Sequence, residues 1–211
     1  MRVSKKMWTS VVVASCALLI AAAAPKAFAP DTALACTPPE EAAVPAVAHE
    51  IAPDPEQKAL ITYVSRRFLV ASAITERMVA AAQRAADDVG LDPLLVLAVI
   101  AVESRFNPIA ESGMGAKGLM QIIPRYHLDK LRAVGGEDAV FDPEANIEVG
   151  ARILQEYVYR TGTLEAGLQQ YNGASRDANA YYAARVMAER ARLQEVLRSP
   201  QVILAAGAQG S

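Results

Sequence analysis

Glu103 closes an uninterrupted apolar run, Val96-Leu97-Ala98-Val99-Ile100-Ala101-Val102. It is followed by Ser104-Arg105-Phe106-Asn107-Pro108 and, after a polar loop, by Gly115-Ala116-Lys117-Gly118-Leu119-Met120-Gln121. A lone carboxylate delivered by so apolar a segment has the chemistry of a general acid. Apolar neighbours disfavour its charged form, so it holds a proton near neutral pH and can give it up and take it back. Asp92 and Pro93 read as the N-cap and first position of the helix that carries it, and Asn107-Pro108 stops that helix. The helix is expected over about residues 93–105. Glu103 then lies in its last turn, where the helix dipole opposes negative charge, with Val96, Val99 and Ile100 on the turns before it. The plainer reading is a solvated glutamate at a helix end.

The wider pattern decides between the two. Glu103-Ser104-Arg105-Phe106-Asn107-Pro108, then Ser112, then Gly115 to Gln121, then Tyr171-Asn172-Gly173 about fifty residues later resembles the soluble lytic transglycosylase family of lysozyme-like enzymes. The resemblance covers about residues 74–190, with several motifs in order at the right separations. It implies a mainly α, lysozyme-like single catalytic domain with a Gly-rich substrate loop after the catalytic helix. It implies peptidoglycan as substrate, with the β-1,4 bond between N-acetylmuramic acid and N-acetylglucosamine broken without consuming water. Glu103 matches the family's single catalytic acid, Ser112 and Gln121 its polar cleft residues, and Tyr171 the tyrosine that hydrogen-bonds near the acid. Gly118, Met120, Ile123 and Asn172 complete the implied substrate-binding set. Taken singly, Ser112 also reads as a loop serine, Gln121 as a helix-start glutamine and Tyr171 as a half-buried core aromatic. No metal and no cofactor is expected.

The chain departs from the family's pattern in three places. Ile123 stands where many members have methionine, the later motif reads Tyr171-Asn172-Gly173-Ala174 rather than the more usual Tyr-Asn-Ala-Gly, and Pro124-Arg125-Tyr126-His127 replaces smaller residues. These changes bear on the subsites and leave the proton chemistry intact.

Counting carboxylates gives the mechanism. Ordinary glycosidases use two, and the motif supplies one. By resemblance, Glu103 protonates the glycosidic oxygen while the substrate's own 2-acetamido group stabilises the cationic centre. The carboxylate then deprotonates the muramyl C6 hydroxyl, which attacks C1 and closes a 1,6-anhydro ring. An internal nucleophile makes the second carboxylate unnecessary and gains from proximity.

Two nearby signals compete. Gly113-Met114-Gly115-Ala116-Lys117-Gly118 spells the dinucleotide fingerprint, but a helix and an Asn-Pro break precede it where that motif needs a strand. The glycines read instead as close-approach or turn positions. Glu111 is the candidate second carboxylate of a hydrolytic lysozyme, yet it lies in a polar loop with no apolar run around it and reads as solvated.

The elements that position these residues are read as helices. Apolar spacing predicts helices over 58–71, 75–89, 142–160, 163–171 and 178–198, with Gly90 closing the second, and no segment alternates as a strand does. Arg185, Glu189, Arg190, Arg192 and Glu195 read as the solvated face of the last helix. Residues 200–211 are expected to be a loose tail.

Arg2, Lys5 and Lys6 before the apolar stretch Val11–Ala24 read as a secretory signal over residues 1–35, so export to the periplasm is expected. Retention as a membrane anchor is the alternative. Cleavage after Ala29 meets Pro30, whereas Ala33-Leu34-Ala35 before Cys36 also fits the small-x-small rule. Both Val13-Ala14-Ser15-Cys16 and Ala33-Leu34-Ala35-Cys36 resemble lipoprotein boxes, and neither cysteine lies in the expected domain. Residues 36–56 read as a flexible linker, 57–198 as the catalytic domain and 199–211 as the tail. The chain carries a net charge of −2; without residues 1–35, which hold four basic and one acidic side chain, 17 basic and 22 acidic residues remain, or −5. That balance argues against nucleic acid as a partner. The expected partners are glycan strands of peptidoglycan and, through the family resemblance, bacterial secretion or pilus machinery. The alternatives are a hydrolytic lysozyme on the same fold and a non-catalytic peptidoglycan-docking accessory of such a machine.

Overall fold

The first described helix, α1 (Pro55–Phe68), starts three residues earlier than the apolar spacing predicts. Asp54 accepts from the Gln57 amide at 2.8 Å and Pro55 fixes the first helical position, so the expected linker gives way to helix before Glu56. The computed structural model describes residues 54–201 and 203; the expected signal peptide, anchor and lipoprotein boxes, and the linker up to residue 53, lie outside the described residues. Leu69, left-handed at φ 59°, ends α1 short of Ala71.

Helix α2 (Ser72–Val89) ends on Gly90, as expected, at φ 71°. Helix α3 (Pro93–Glu103) follows, with Asp92 accepting from the Leu94 amide at 2.9 Å. Every side chain from Leu94 to Ala101 is buried. A helix apolar on all sides is stable only when surrounded, and α3 packs between α2 and α7 (Tyr181–Arg198). Burying this core helix fixes the depth at which Glu103 emerges.

Two short 3₁₀ turns, Pro124–Tyr126 and Glu137–Phe141, flank α4 (Leu128–Ala133). Helix α5 (Pro143–Thr161), capped by Asp142, packs against α2 and α6 (Leu164–Tyr171), the latter capped by Thr163. Among the described residues no helix is long and apolar enough to cross a membrane. The described residues hold isolated bridges, Glu111 with Lys117 and Lys117 with Ile122, and no strand.

Three expectations are corrected. The last helix starts at Tyr181 rather than residue 178, because Asp177 accepts from the Asn179 and Tyr181 amides and Ala180 is left-handed at φ 49°. The expected loose tail begins with helical turns: Pro200, Gln201 and Ile203 are helical, and Ile203 packs against the core. The expected solvated face of α7 holds a buried acid. Glu189 is 5% exposed and takes Arg67 of α1 at 3.2 Å and Arg192 at 2.7 Å on one oxygen, while Arg190 pairs with Asp92. Glu189 follows Tyr182 and Val186 on the helix face that continues to Leu193 and Val196, all of them buried.

Candidate active site

Glu103 is the last residue of α3, and the chain turns sharply after it. Ser104 caps the helix through its amide, and its hydroxyl donates to the same Ile100 carbonyl at 3.2 Å. Arg105 and Phe106 are both left-handed, at φ 55° and 63°, which ends the helix two residues before the expected boundary. Consecutive non-glycine residues in that region are costly and persist where packing over-determines them. Phe106 supplies that packing: it is fully buried with its ring 4.9 Å from that of Phe68.

The partner of Glu103 is Tyr182, whose hydroxyl donates to Oε1 at 2.6 Å. Burial raises the Glu103 pKa above the ordinary carboxylate value, against the lowering effects of the Tyr182 hydrogen bond and the Arg185 charge. Burial and the nearby Glu103 charge push both Tyr182 and Tyr171 well above the ordinary phenol value, so both stay neutral donors. The arrangement holds a protonatable carboxyl against the Tyr182 hydroxyl at the end of a buried apolar helix.

Tyr182 is held by a polar contact that the sequence did not reveal. Gln169 of α6, 5% exposed, accepts from the Ala183 amide at 3.0 Å, satisfying a first-turn donor of α7, and donates to the Ala174 carbonyl at 3.2 Å. The segment Tyr171-Asn172-Gly173-Ala174 therefore sets the start of α7 as well as presenting its own side chains. The Tyr171 hydroxyl donates to the Met120 carbonyl at 2.8 Å, and its ring meets Tyr157 edge-on at 6.3 Å.

The loop after α3 is stitched by its own backbone. Gly118 donates to Ala110 at 2.8 Å, Ser112 to Ala116 at 2.9 Å, and Lys117 and Ile122 exchange bonds around a tight reversal. Gly118 (φ 74°) and Gln121 (φ 50°) take the left-handed positions of that reversal. A Cβ on Gly118 would come within 2.2 Å of Asn146 Nδ2 and 2.6 Å of the Val140 carbonyl. The close approach that this glycine permits is to Asn146, a fully buried residue of α5. Asn146 donates to the Val140 and Lys117 carbonyls at 2.7 and 3.1 Å and accepts from the Met120 amide at 2.8 Å.

Of the residues singled out from sequence, Gln121, Ile123, Tyr171 and Asn172 line one cleft, together with Tyr126 and His127. Glu103 is not part of that lining, and its link to the cleft is through its charge, which Tyr171 feels. Gly118 and Met120 are buried beneath the cleft: the Met120 side chain packs on Gly150 and only its carbonyl serves Tyr171. Gln121 donates to the Ala110 and Gly118 carbonyls, each at 3.1 Å, bracing the loop from the cleft side. Ser112 lies outside that lining, its hydroxyl accepting from the Ala116 amide at 3.1 Å. Glu111, the competing carboxylate, is 56% exposed and faces Lys117 at 3.8 Å. Tyr182, Gln169 and Asn146 were missed. Their signals were a Tyr181-Tyr182 pair opening a helix and polar residues in register with apolar stripes.

Comparison with known proteins finds relatives over part of the chain. The chain is 40% identical over 89 residues to a transglycosylase of Enterobacteria phage PRD1, covering 42% of this chain and 32% of the phage protein. It is 36% identical over 78 residues to membrane-bound lytic murein transglycosylase C of Serratia proteamaculans, covering 34% and 22%. The chain thus spans about a third or less of the length of these curated relatives. An inactive mutant of the lytic transglycosylase Slt from Pseudomonas aeruginosa shares the fold, with a TM-score of 0.51 at 22% identity over 59% of this chain and 25% of that one. The model of the transglycosylase SLT domain matches residues 80–191, more than half of the 211 residues and a span that includes Glu103, Gln121, Tyr171 and Tyr182, and the chain belongs to that family.

Proposed function

We propose that this protein is a peptidoglycan lytic transglycosylase, exported to the periplasm, that cleaves the β-1,4 bond between N-acetylmuramic acid and N-acetylglucosamine and leaves 1,6-anhydro-muramic acid ends. The observation that carries the reading is the Glu103 carboxyl, raised in pKa by burial at the end of an apolar helix and held on one oxygen by Tyr182.

In this reading Oε1 is engaged by Tyr182, so the transferable proton resides on Oε2. Glu103 gives it to the glycosidic oxygen as that bond breaks. The carboxylate left behind is the species that Tyr182 and Arg185 favour, which assists the first step and supplies the base for the second. It then takes the proton of the muramyl C6 hydroxyl as that oxygen closes on C1, and Glu103 is regenerated protonated. No water enters and no second carboxylate is used, in keeping with the exposed, ion-paired Glu111. Gln121, Ile123, Tyr171 and Asn172 orient the sugars along the cleft.

Glu103→Gln tests the assignment, since it keeps the shape and removes the titrating proton. Release of soluble muropeptides from sacculi should fall by at least about a thousandfold while sacculus binding persists. Substantial residual cleavage would refute the role of Glu103.

A further inference from the structure

Seven arginines among the described residues sit in ion pairs, and Arg125 is not one of them. Its guanidinium carbon lies 4.7 Å from the centre of the Tyr126 ring, and Tyr126 is 63% exposed and lines the cleft beside Gln121, Tyr171 and Asn172. On the other side the same guanidinium reaches the Gly-rich loop, where a methyl group on Gly115 would lie 3.9 Å from Nη1. Among the described residues no carboxylate is within ion-pairing distance of it. A guanidinium stacked on an aromatic face is held in orientation with its N–H edge free, and that edge matches a carboxylate with two parallel hydrogen bonds. Of the two sugars of the proposed substrate, only the muramyl unit carries anions: the lactyl carboxylate on a bare strand, or stem-peptide carboxylates where the lactyl group is amide-linked.

We infer that Arg125, braced on Tyr126, is a subsite for a muramyl-borne carboxylate and makes this enzyme discriminate among strands by their substituents. The inference rests on the peptidoglycan reading above. Arg125 touches no reacting atom in this account, so its effect falls on KM more than on kcat.

The test compares wild type, Arg125→Gln and Arg125→Lys on three substrates: peptide-bearing strands, strands stripped of peptides by an amidase, and stripped strands whose lactyl carboxylates have been converted to amides. Arg125→Gln should raise KM about five- to tenfold on a carboxylate-bearing substrate and not on the amidated strands, with kcat changing less than twofold and Arg125→Lys recovering part of the loss. A loss confined to peptide-bearing strands assigns the stem peptide, a loss confined to stripped strands assigns the lactyl group, and a loss on both assigns either carboxylate. Equal KM on all three substrates for wild type and variant, or the same loss on the amidated strands, overturns the inference while leaving the transglycosylase reading intact. A wild type inactive on all three substrates refutes that reading and the inference with it. Arg125 is exposed, and an unchanged melting temperature confirms that the variants fold.

Discussion

The Tyr182 hydroxyl and the Glu103 carboxylate oxygen lie 2.6 Å apart, joining the first turn of α7 to the last residue of α3 across 79 positions of sequence. The contact makes the acid's proton affinity depend on how two helices pack. Burial raises that affinity, and the phenol and Arg185 hold it down.

Tyr182→Phe removes a lowering influence, so the Glu103 pKa should rise further. Protonation is required for the first step, and activity is lost as pH rises through that pKa. The alkaline limb of kcat/KM should therefore move to higher pH in the variant, while kcat falls about ten- to a hundredfold because the developing carboxylate loses a donor. Arg185→Gln should move the limb the same way by less, and by an amount that shrinks with added salt because Arg185 is exposed. A limb that stays in place in both variants contradicts this electrostatic account.

The same raised pKa links stability to pH. A carboxyl that holds its proton more tightly folded than unfolded contributes fully below the unfolded value, and the contribution is lost as pH rises through the folded value. Glu103→Gln should therefore raise the melting temperature by about 2–5 °C at neutral pH, and the gain should vanish below the ordinary carboxylate range. Thermal melts across pH check both sign and window.

Gly118→Ala and Asn146→Ala attack the floor of the cleft from opposite sides. The first drives a methyl into Asn146 and the Val140 carbonyl; the second takes the side-chain partner from the Val140 carbonyl and the Met120 amide and leaves the Lys117 carbonyl only its bond from Ile122. Each should cost about 2–4 kcal/mol in denaturant unfolding. The pair should be strongly non-additive, because Asn146→Ala removes the side-chain amide that the methyl on residue 118 would strike.

Arg67→Ala tests the buried acid of α7. It strips one of the two cations from a Glu189 oxygen while the other oxygen has no hydrogen-bond partner among the described residues. A loss of about 1–3 kcal/mol is expected, larger than for exposed ion pairs such as Arg198 with Glu195. Equal effects at the two sites would contradict the role assigned to Glu189.

What was legible in the sequence was local. Asp92, Pro93 and the apolar run define α3 and put Glu103 at its end, because caps and helix periodicity act within a few residues. Tyr171 and Gln121 were found through motif resemblance, which also carried Met120, whose side chain proves to be core. Tyr182, Gln169 and Asn146 act across tertiary packing: the Glu103 carboxyl, the Ala183 amide and the Met120 amide that they bond lie 79, 14 and 26 positions away, and nothing in the adjacent sequence names them. Glu189 was misread for a related reason. Its charge suggested solvent, whereas its register with Tyr182, Val186, Leu193 and Val196 marked the buried face.

The central claim is the fate of the muramyl C6 hydroxyl, and mass spectrometry of muropeptides released from purified peptidoglycan reads it directly. The account predicts products ending in 1,6-anhydro-muramic acid, lighter by one water than their hydrolysed counterparts. Reducing muramic acid ends would contradict it and make this protein a hydrolytic lysozyme.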